Sequence, residues 1–140
     1  MPSGCFFCDQ AGGEIVWQDA FARIIVAADA DHPGLCRVVL NRHVKEMTDL
    51  PAQEQSRLMR LVLALESAQR AVLEPVKINL ASFGNQVPHL HWHVVPRFAD
   101  DPHYPDAILA VRRGGRPHPV PVDYRARLAA HLGADPGREP

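Results

Sequence analysis

The sequence predicts an α+β fold, in which a mainly antiparallel sheet of about five strands is covered on one face by one long helix. Short segments rich in β-branched and aromatic residues recur between turn-forming residues, which is typical of strands. One longer segment has the apolar spacing of an amphipathic helix. Because a sheet and a helix each have an apolar side, we expect them to bury those sides against one another.

The predicted strands are short, and turn-forming residues separate them. They cover 14–18, 21–28, 35–41, 76–82 and 88–97. Asp19 and Ala20 divide the first two strands, which predicts a hairpin.

The long helix is predicted from Pro51 to Leu73. Thr48 or Asp49 can cap its N-terminus, and a proline suits the first turn of a helix. Apolar residues recur at the spacing of one helix face. They are Leu58, Leu61, Val62, Leu65, Ala68 and Val72. A second, short helix is predicted at 124–133.

Length and composition indicate one ordinary globular domain. At 140 residues, with 46% hydrophobic and 22% charged residues, the chain is large enough to bury a core. We expect a single domain over 1–125, followed by the C-terminal helix and a mobile tail over 126–140. The formal charge of −1 gives no electrostatic reason to expect nucleic acid as a partner. Since we find no bilayer-spanning apolar run and no signal-peptide pattern, we expect no membrane partner and a cytoplasmic location.

The segment 88–97, PHLHWHVVPR, carries a histidine at every second position of its first half. Successive side chains of a strand point to opposite faces, so these histidines are predicted to share one face. They are His89, His91 and His93. Leu90, Trp92 and Val94 are predicted to line the other face and to pack against the long helix. Two chemistries are open to such a row: metal binding, or nucleophilic attack by a neutral imidazole that its neighbours orient.

The loop 83–88 precedes this row and suits the recognition of an anion. Gly84 allows close approach of the backbone to a ligand, and Asn85 and Gln86 supply side-chain amides. We therefore expect Gly84, Asn85, Gln86 and Val87 to bind phosphate.

Cys5 and Cys8 form a Cys-x-x-Cys pair near the start of the chain. The spacing alone is compatible with a zinc site or with a dithiol redox pair. Cys36 has no partner in either interpretation and is expected to be a small buried residue.

One run of seven residues resembles the signature of the histidine-triad (HIT) family of nucleotide hydrolases and transferases, with no position missing. It is His89-Leu90-His91-Trp92-His93-Val94-Val95. The resemblance extends from the Cys-x-x-Cys pair to about residue 97 and includes the strand before His43 and the long helix. It implies a HIT-like fold and a homodimer.

The resemblance also implies hydrolysis or transfer at the α-phosphate of a nucleotide substrate. His91 would attack phosphorus and form a covalent nucleotidyl-histidine, which water then releases as a nucleoside monophosphate. The carbonyl of His89 would accept the other ring proton of His91, and His93 would hydrogen-bond a phosphate oxygen or the leaving group. Asn79 fits a polar position that faces the nucleotide in relatives. Phosphoramidates, dinucleoside polyphosphates and aminoacyl-adenylates all suit this nucleophile.

In the zinc-carrying branch of the family, two cysteines and two histidines hold a structural ion. The corresponding residues here are Cys5, Cys8, His43 and His89. A closed Cys2His2 site has no open position for substrate, and it would orient His89 beside the nucleophile. No organic cofactor is implied.

The sequence departs from the family where relatives bind ribose. Many members carry an acidic residue for the ribose hydroxyls, and the corresponding place falls near Ala27, with Asp29 or Asp31 as possible substitutes. A module that binds a nucleotide without turnover is therefore an alternative to an enzyme. A third alternative is a zinc protein in which all the triad histidines bind the metal.

We assign no function to the other histidines, His32, His103, His118 and His131, and expect His32 at the surface. The arginines that could touch a phosphate chain are expected to be solvated instead. They are Arg97, Arg112 and Arg113.

Overall fold

Five antiparallel strands form one sheet in the computed structural model, which describes residues 4–138. The strands are β1 (Glu14–Gln18), β2 (Ala22–Val26), β3 (Cys36–Leu40), β4 (Lys77–Ala81) and β5 (His91–Arg97). Their order across the sheet is β1-β2-β3-β5-β4, and each neighbouring pair is antiparallel. The predicted α+β fold is confirmed, and β5 lies inside the sheet between β3 and β4.

The helices are α1 (Phe6–Asp9), α2 (Ala52–Leu73) and α3 (Tyr124–Leu132), and a 3₁₀ helix (Met47–Asp49) precedes α2. The two longer helices cover one face of the sheet, whereas α1 lies on the other face, where Phe7 packs against Ile25 and Val39. The sequence prediction did not include α1, a single turn that brings Cys5 and Cys8 to the same side. None of the helices within residues 4–138 combines the length and the apolar character that crossing a bilayer requires.

The predicted N-terminal cap of α2 is wrong. Pro51 occupies the cap position, and Thr48 and Asp49 belong to the separate 3₁₀ helix. A proline ring disfavours helical dihedral angles in the residue before it, and Leu50 is accordingly extended, with φ −88° and ψ 143°. Pro51 is itself extended, with φ −62° and ψ 155°, so the helix begins at Ala52. The Asp49 carboxylate instead accepts a hydrogen bond from the N–H of Glu46 at 3.2 Å.

The core lies between the sheet and the two longer helices. Every residue of the predicted apolar face of α2 is buried. Leu90 and Val94 belong to the same cluster, and Trp92 packs against it half-buried, which confirms the core face of the histidine segment. Gln69, buried within α2, donates hydrogen bonds to the carbonyls of Gly34 and Val94 at 3.2 and 3.0 Å. These bonds tie α2 to β5.

The strand of the histidine segment begins later than predicted. Regular pairing in β5 starts at His91, whereas the N–H of His89 donates to the carbonyl of Val87 at 2.8 Å and that of Leu90 to Val44 at 2.7 Å. Since Pro88 has no N–H to donate, the chain makes a turn here before it joins the sheet. His89 therefore lies just before the start of β5.

The C-terminal helix continues the domain core, because Tyr124, Leu128 and Leu132 are buried in the same cluster as α2. Beyond α3, Trp17 Nε1 donates to the carbonyl of Ala134 at 3.1 Å, and Arg60 Nε donates to that of Gly137 at 2.7 Å. The boundary at 125 and the mobility of the tail stay predictions, and residues 139 and 140 lie outside the described part of the chain.

Candidate active site and metal centre

Two histidines of β5 lie side by side on the sheet face opposite α2. In the register of β3 and β5, Val39 stands opposite His91 and Arg37 opposite His93. The His91 and His93 rings meet edge to face, with centroids 5.0 Å apart. Phe7 of α1 lies against His91, at 4.8 Å between ring centroids, so one side of this imidazole is enclosed by an aromatic ring.

The hydrogen bond of His91 determines which of its nitrogens is reactive. Its Nδ1 lies 2.6 Å from the carbonyl oxygen of His89. A carbonyl can only accept, so Nδ1 carries the proton and Nε2 keeps a lone pair. Burial, above all, lowers the pKa of His91 and favours the neutral ring. A buried neutral imidazole with a free Nε2 has the chemistry of a nucleophile.

His93 has the opposite arrangement of donor and acceptor. The Nε–H of Arg37 donates to His93 Nδ1 at 3.3 Å, so a neutral His93 carries its proton on Nε2. Burial lowers the pKa of His93 to about 4, and the nearby His91 and Arg37 add to the effect. His93 is therefore a neutral hydrogen-bond donor at neutral pH. The sequence interpretation missed Arg37, although a charged residue inside the apolar strand 35–41 was a usable signal.

Both rings open into a cavity of about 480 Å³. The predicted phosphate-binding residues all line it: Gly84, Asn85, Gln86 and Val87. Gly84 has φ +72°, which a side chain would strain, so the sharp turn of this loop requires a glycine. Phe83 and Leu109 also line this cavity. The structure thus brings the histidines and the predicted loop around one space.

Asn79 does not join this cavity. Its Oδ1 accepts a hydrogen bond from Arg97 Nη1 at 2.8 Å, and its side chain lines a neighbouring cavity of about 580 Å³. The two cavities share His93, Phe83, Ile108 and Leu109. His93 therefore stands between them.

No acidic side chain lines the cavity of His91 within the described residues 4–138. Ala27 is buried, and Ile108 packs over the cluster that it forms with Leu35 and Val95. Asp29 caps its own loop by accepting from the N–H groups of Asp31 and His32, each at 3.0 Å. Asp31 pairs with Arg112 at 3.3 Å, so neither carboxylate is placed for a ligand there.

The predicted metal ligands converge beside the triad. The ligand atoms of Cys5, Cys8, His43 and His89 all lie within 4.8 Å of one another, a cluster that could hold a metal ion. His89 Nδ1 is 3.3 Å from Cys5 Sγ and 3.5 Å from Cys8 Sγ, and His43 Nδ1 is 3.4 Å from Cys8 Sγ. Bonds of about 2.3 Å to sulfur and 2.0–2.1 Å to nitrogen at tetrahedral angles separate such atoms by about 3.6 Å. The geometry therefore fits zinc.

The other ring nitrogen of His89 supports this assignment. His89 Nε2 lies 2.6 Å from the carbonyl oxygen of Leu40, so Nε2 carries the proton and the lone pair of Nδ1 points toward the cysteines. Metal-binding histidines in proteins commonly have such a carbonyl behind them. The ring of His89 thus faces the metal cluster, and the main-chain carbonyl of His89 contacts the ring of His91.

Several polar residues are more buried than the sequence indicated. Arg97 is 2% exposed and forms an ion pair with Asp101, with N···O distances of 2.9 and 3.0 Å. His32 and His103 are also buried, and their rings are joined by a hydrogen bond of 2.9 Å. The expected solvation of Arg97 and surface position of His32 are therefore wrong, because the segment after β5 folds back over this part of the sheet. Arg112 is exposed, as expected.

The alternating histidines on an antiparallel sheet fit the class of histidine-triad proteins, and the Cys2His2 cluster beside them fits its zinc-carrying branch. The chain belongs to the HIT domain family, whose profile matches residues 9–100. This confirms the resemblance drawn from the triad.

Solved structures of other histidine-triad proteins share the fold. A histidine triad protein from Bradyrhizobium japonicum has 24% identity and a TM-score of 0.70, with 87% of this chain and 89% of that chain covered. One from Marinobacter aquaeolei VT8 has 25% identity and a TM-score of 0.67, with 87% of each chain covered. A Zn-bound histidine triad family protein from Mycobacterium smegmatis has 22% identity and a TM-score of 0.68, with 92% of this chain and 93% of that chain covered. A search of curated proteins found no match.

Proposed function

We propose that the protein cleaves nucleotides at the α-phosphorus through a covalent nucleotidyl-His91 intermediate. The observation that carries this proposal is the bond of 2.6 Å between His91 Nδ1 and the His89 carbonyl, in a ring that lines the cavity. It leaves Nε2 unprotonated and pointing away from the backbone. Substrates joined at phosphorus to an amine or to further phosphate both suit this nucleophile.

The reaction divides into two displacements. The Nε2 lone pair of His91 attacks the α-phosphorus, and the bond to the leaving group breaks with its electron pair departing on that group. His93, with its proton on Nε2, hydrogen-bonds the departing atom or a phosphate oxygen. Water then attacks the nucleotidyl-histidine, which frees the imidazole and yields a nucleoside monophosphate. Two displacements with a good nucleophile replace one difficult hydrolysis.

The loop before the triad supplies the phosphate contacts. Gly84, Asn85, Gln86 and Val87 line the cavity next to both imidazoles. Main-chain N–H groups and side-chain amides that are held in place stabilise charge that develops on phosphate oxygens. Asn79 would contact a part of the ligand that lies beyond His93, because Asn79 lines the neighbouring cavity.

Zinc has a structural role in this proposal. Cys5, Cys8, His43 and His89 would hold the ion, and a closed site of this kind stabilises the fold without touching substrate. A homodimer, a cytoplasmic location and the absence of nucleic-acid partners belong to the same proposal, supported by the family and by a formal charge of −1.

Intact-mass measurement tests the covalent step. The protein is mixed briefly with adenosine phosphoramidate or a diadenosine polyphosphate, quenched with denaturant, and compared with His91→Ala. We expect a nucleotidyl adduct on the wild type, mapped to His91, and none on the variant. His131→Ala, which removes an exposed histidine of α3, is the matched control and should form the adduct. An adduct on His91→Ala, or neither adduct nor nucleoside monophosphate after hours, would count against the proposal.

The alternative is a binding module without useful turnover. The observation that favours it is the absence of an acidic side chain in the described lining of the cavity, where relatives bind ribose. Nucleotide binding by the wild type and by His91→Ala, without adduct or product in either protein, would support this alternative.

A further inference from the structure

Arg37 is the one permanently charged side chain among the described residues that line the cavity of His91. It lies on β3 directly opposite His93, and its Nε–H donates to His93 Nδ1 at 3.3 Å. Within residues 4–138, neither Nη group of Arg37 has a protein acceptor, and no carboxylate lies within ion-pair distance. Its remaining donors are therefore open to a ligand in the cavity.

The buried arginines of the same sheet contrast with Arg37. Arg23 donates to the carbonyls of Phe7, Gln10 and Ala11 and to the side chain of Asn41. Arg97 is neutralised by the Asp101 carboxylate. Both serve the fold, with their donors used within the chain. The Asp29 carboxylate acts on Arg37 from a longer distance and is occupied by the amides of its own loop.

The position of Arg37 indicates which part of a substrate it meets. Its partner His93 stands between the cavity of the nucleophile and the neighbouring cavity of about 580 Å³. Arg37 and this neighbouring cavity lie on opposite sides of His93, because Arg37 belongs to β3 and the cavity is lined by β4, which pairs with the other edge of β5. In the proposed reaction the leaving group departs next to His93, on the side of phosphorus away from His91. Arg37 contacts His93 and lines the cavity of His91 but not the neighbouring one, so the leaving group is assigned to the side of Arg37 and the nucleotidyl part to the neighbouring cavity.

Leaving groups differ in what they need. An amine departing from a phosphoramidate must gain a proton, whereas a phosphate chain departs as an anion and is stabilised by a fixed positive charge. A guanidinium with its Nη groups open can bind two phosphate oxygens at once. Arg37 can stabilise a departing phosphate chain by its positive charge. It cannot protonate a departing amine, because a guanidinium does not readily release a proton.

We propose that Arg37 binds the β-phosphate of the substrate and makes the site selective for nucleotides whose α-phosphate is joined to further phosphate. The inference rests on the proposed function, and it assigns to Arg37 a specificity-determining role within it. In the first displacement, the bond between the α-phosphorus and the bridging oxygen breaks. The bridging oxygen keeps the electron pair, and Arg37 stabilises the resulting anionic phosphate.

Steady-state kinetics with two donors tests this role. We compare kcat/KM for a diadenosine polyphosphate and for adenosine phosphoramidate in the wild type, Arg37→Gln and Arg37→Lys. Loss of a charge-assisted hydrogen bond to phosphate should lower kcat/KM for the polyphosphate by about 10- to 100-fold in Arg37→Gln, and by less in Arg37→Lys. For the phosphoramidate the loss should be smaller by about 5-fold or more, because this donor depends on Arg37 only through the hydrogen bond of its Nε–H to His93.

Two controls separate this result from general damage. Arg125→Gln removes an arginine that pairs with Glu14, remote from the cavity. It should leave kcat/KM for both donors unchanged. Thermal unfolding and zinc content of Arg37→Gln should match those of the wild type. An equal loss for both donors, or no loss for either, would overturn the proposal, because Arg37 would then serve the shared nucleotidyl part or nothing in the reaction.

Failure of the proposed function can be distinguished from failure of this inference. If neither donor labels His91, the covalent mechanism fails, and equilibrium binding of ADP and AMP then decides the role of Arg37. Arg37→Gln should lower the affinity for ADP by about 10-fold or more and leave the affinity for AMP nearly unchanged. Equal effects on ADP and AMP would overturn the assignment of Arg37 to the β-phosphate.

Discussion

His89 connects the two parts of the site at the scale of a single residue. Its Nδ1 faces the cysteines, its Nε2–H donates to the carbonyl of Leu40, and its own carbonyl accepts from His91. Each of its polar groups thus has a defined partner. The residue whose ring faces the metal cluster thus also supplies the carbonyl that sets the tautomer of His91.

Metal analysis of single variants tests the division of labour among the histidines. We expect zinc to co-purify with the wild type and with His93→Ala, and to be lost from Cys8→Ser, because His93 is not part of the Cys2His2 cluster. Inductively coupled plasma mass spectrometry after dialysis measures the content. Cys36→Ser, which changes a buried cysteine beside Tyr124, is the matched control and should keep the metal. Loss of zinc from His93→Ala would favour a site in which the triad itself binds the ion.

At the scale of an element, α2 holds β5 in place from the opposite face of the sheet. Its buried residues share one cluster with Leu90 and Val94, which alternate with the triad histidines. Gln69 adds a hydrogen bond to the carbonyl of Val94. The helix thus positions the histidine strand β5 without contributing a side chain to the cavity.

Two leucines of α2 provide a matched pair for this role. Leu61 is fully buried, whereas Leu63 is 51% exposed. We expect Leu61→Ala to lower the free energy of unfolding by about 2–5 kcal/mol, because it removes buried contacts and leaves a cavity. Leu63→Ala should change it by less than about 0.5 kcal/mol. Urea denaturation followed by circular dichroism measures both, and similar costs for the two variants would contradict the packing described here.

At the scale of the whole molecule, the segment after β5 is anchored by one buried ion pair. The Asp101 carboxylate accepts from Arg97 and from the N–H groups of Phe98, His103 and Tyr104. The same segment continues to Ile108 and Leu109, which line the cavity. The anchor therefore helps to shape the site from outside it.

Replacing Asp101 should reveal this anchor in stability and in its dependence on pH. Burial opposes ionisation of Asp101, but the hydrogen bonds from Arg97 and the main chain outweigh it and lower the pKa of the carboxyl. The unfolded chain then takes up a proton first, so this stabilisation is complete at neutral pH and is lost as pH falls below about 4. We expect Asp101→Asn to cost about 3–5 kcal/mol at pH 7, since it leaves the Arg97 charge buried without a partner.

The pH dependence and a control complete this test. Between about pH 4 and pH 2, the unfolding free energy of Asp101→Asn should fall less steeply than that of the wild type, because the group that titrates is gone. Asp106→Asn breaks an exposed pair with Arg113 and should lower the free energy of unfolding far less than Asp101→Asn does, because solvent screens exposed pairs. Equal stability of Asp101→Asn and the wild type in urea titrations would contradict the anchor.

The residues that sequence alone identified correctly are those whose role follows from local pattern. The alternation at Leu90 and Val94 indicated the core face, and the spacing along α2 indicated its buried side. Steric effects of proline also act locally, yet the sequence predicts Pro51 in the first turn of α2, whereas Pro51 occupies the N-cap position. A local pattern thus determines an element more reliably than its end.

By itself, the sequence determined the α+β class, the sheet-and-helix packing and the family signature, because backbone periodicity and residue chemistry require no knowledge of distant contacts. The family resemblance implied Cys5, Cys8, His43 and His89 as metal ligands, and the structure brings these four residues together. The tertiary structure alone decided that Arg37 meets His93, that Asn79 faces a second cavity, and that His32 and His103 are buried together. These pairings join residues far apart in the chain. They depend on strand register and on how the segment after β5 folds back. From sequence alone, an arginine or histidine is predicted to be solvated, because only the tertiary structure shows which part of the chain covers it.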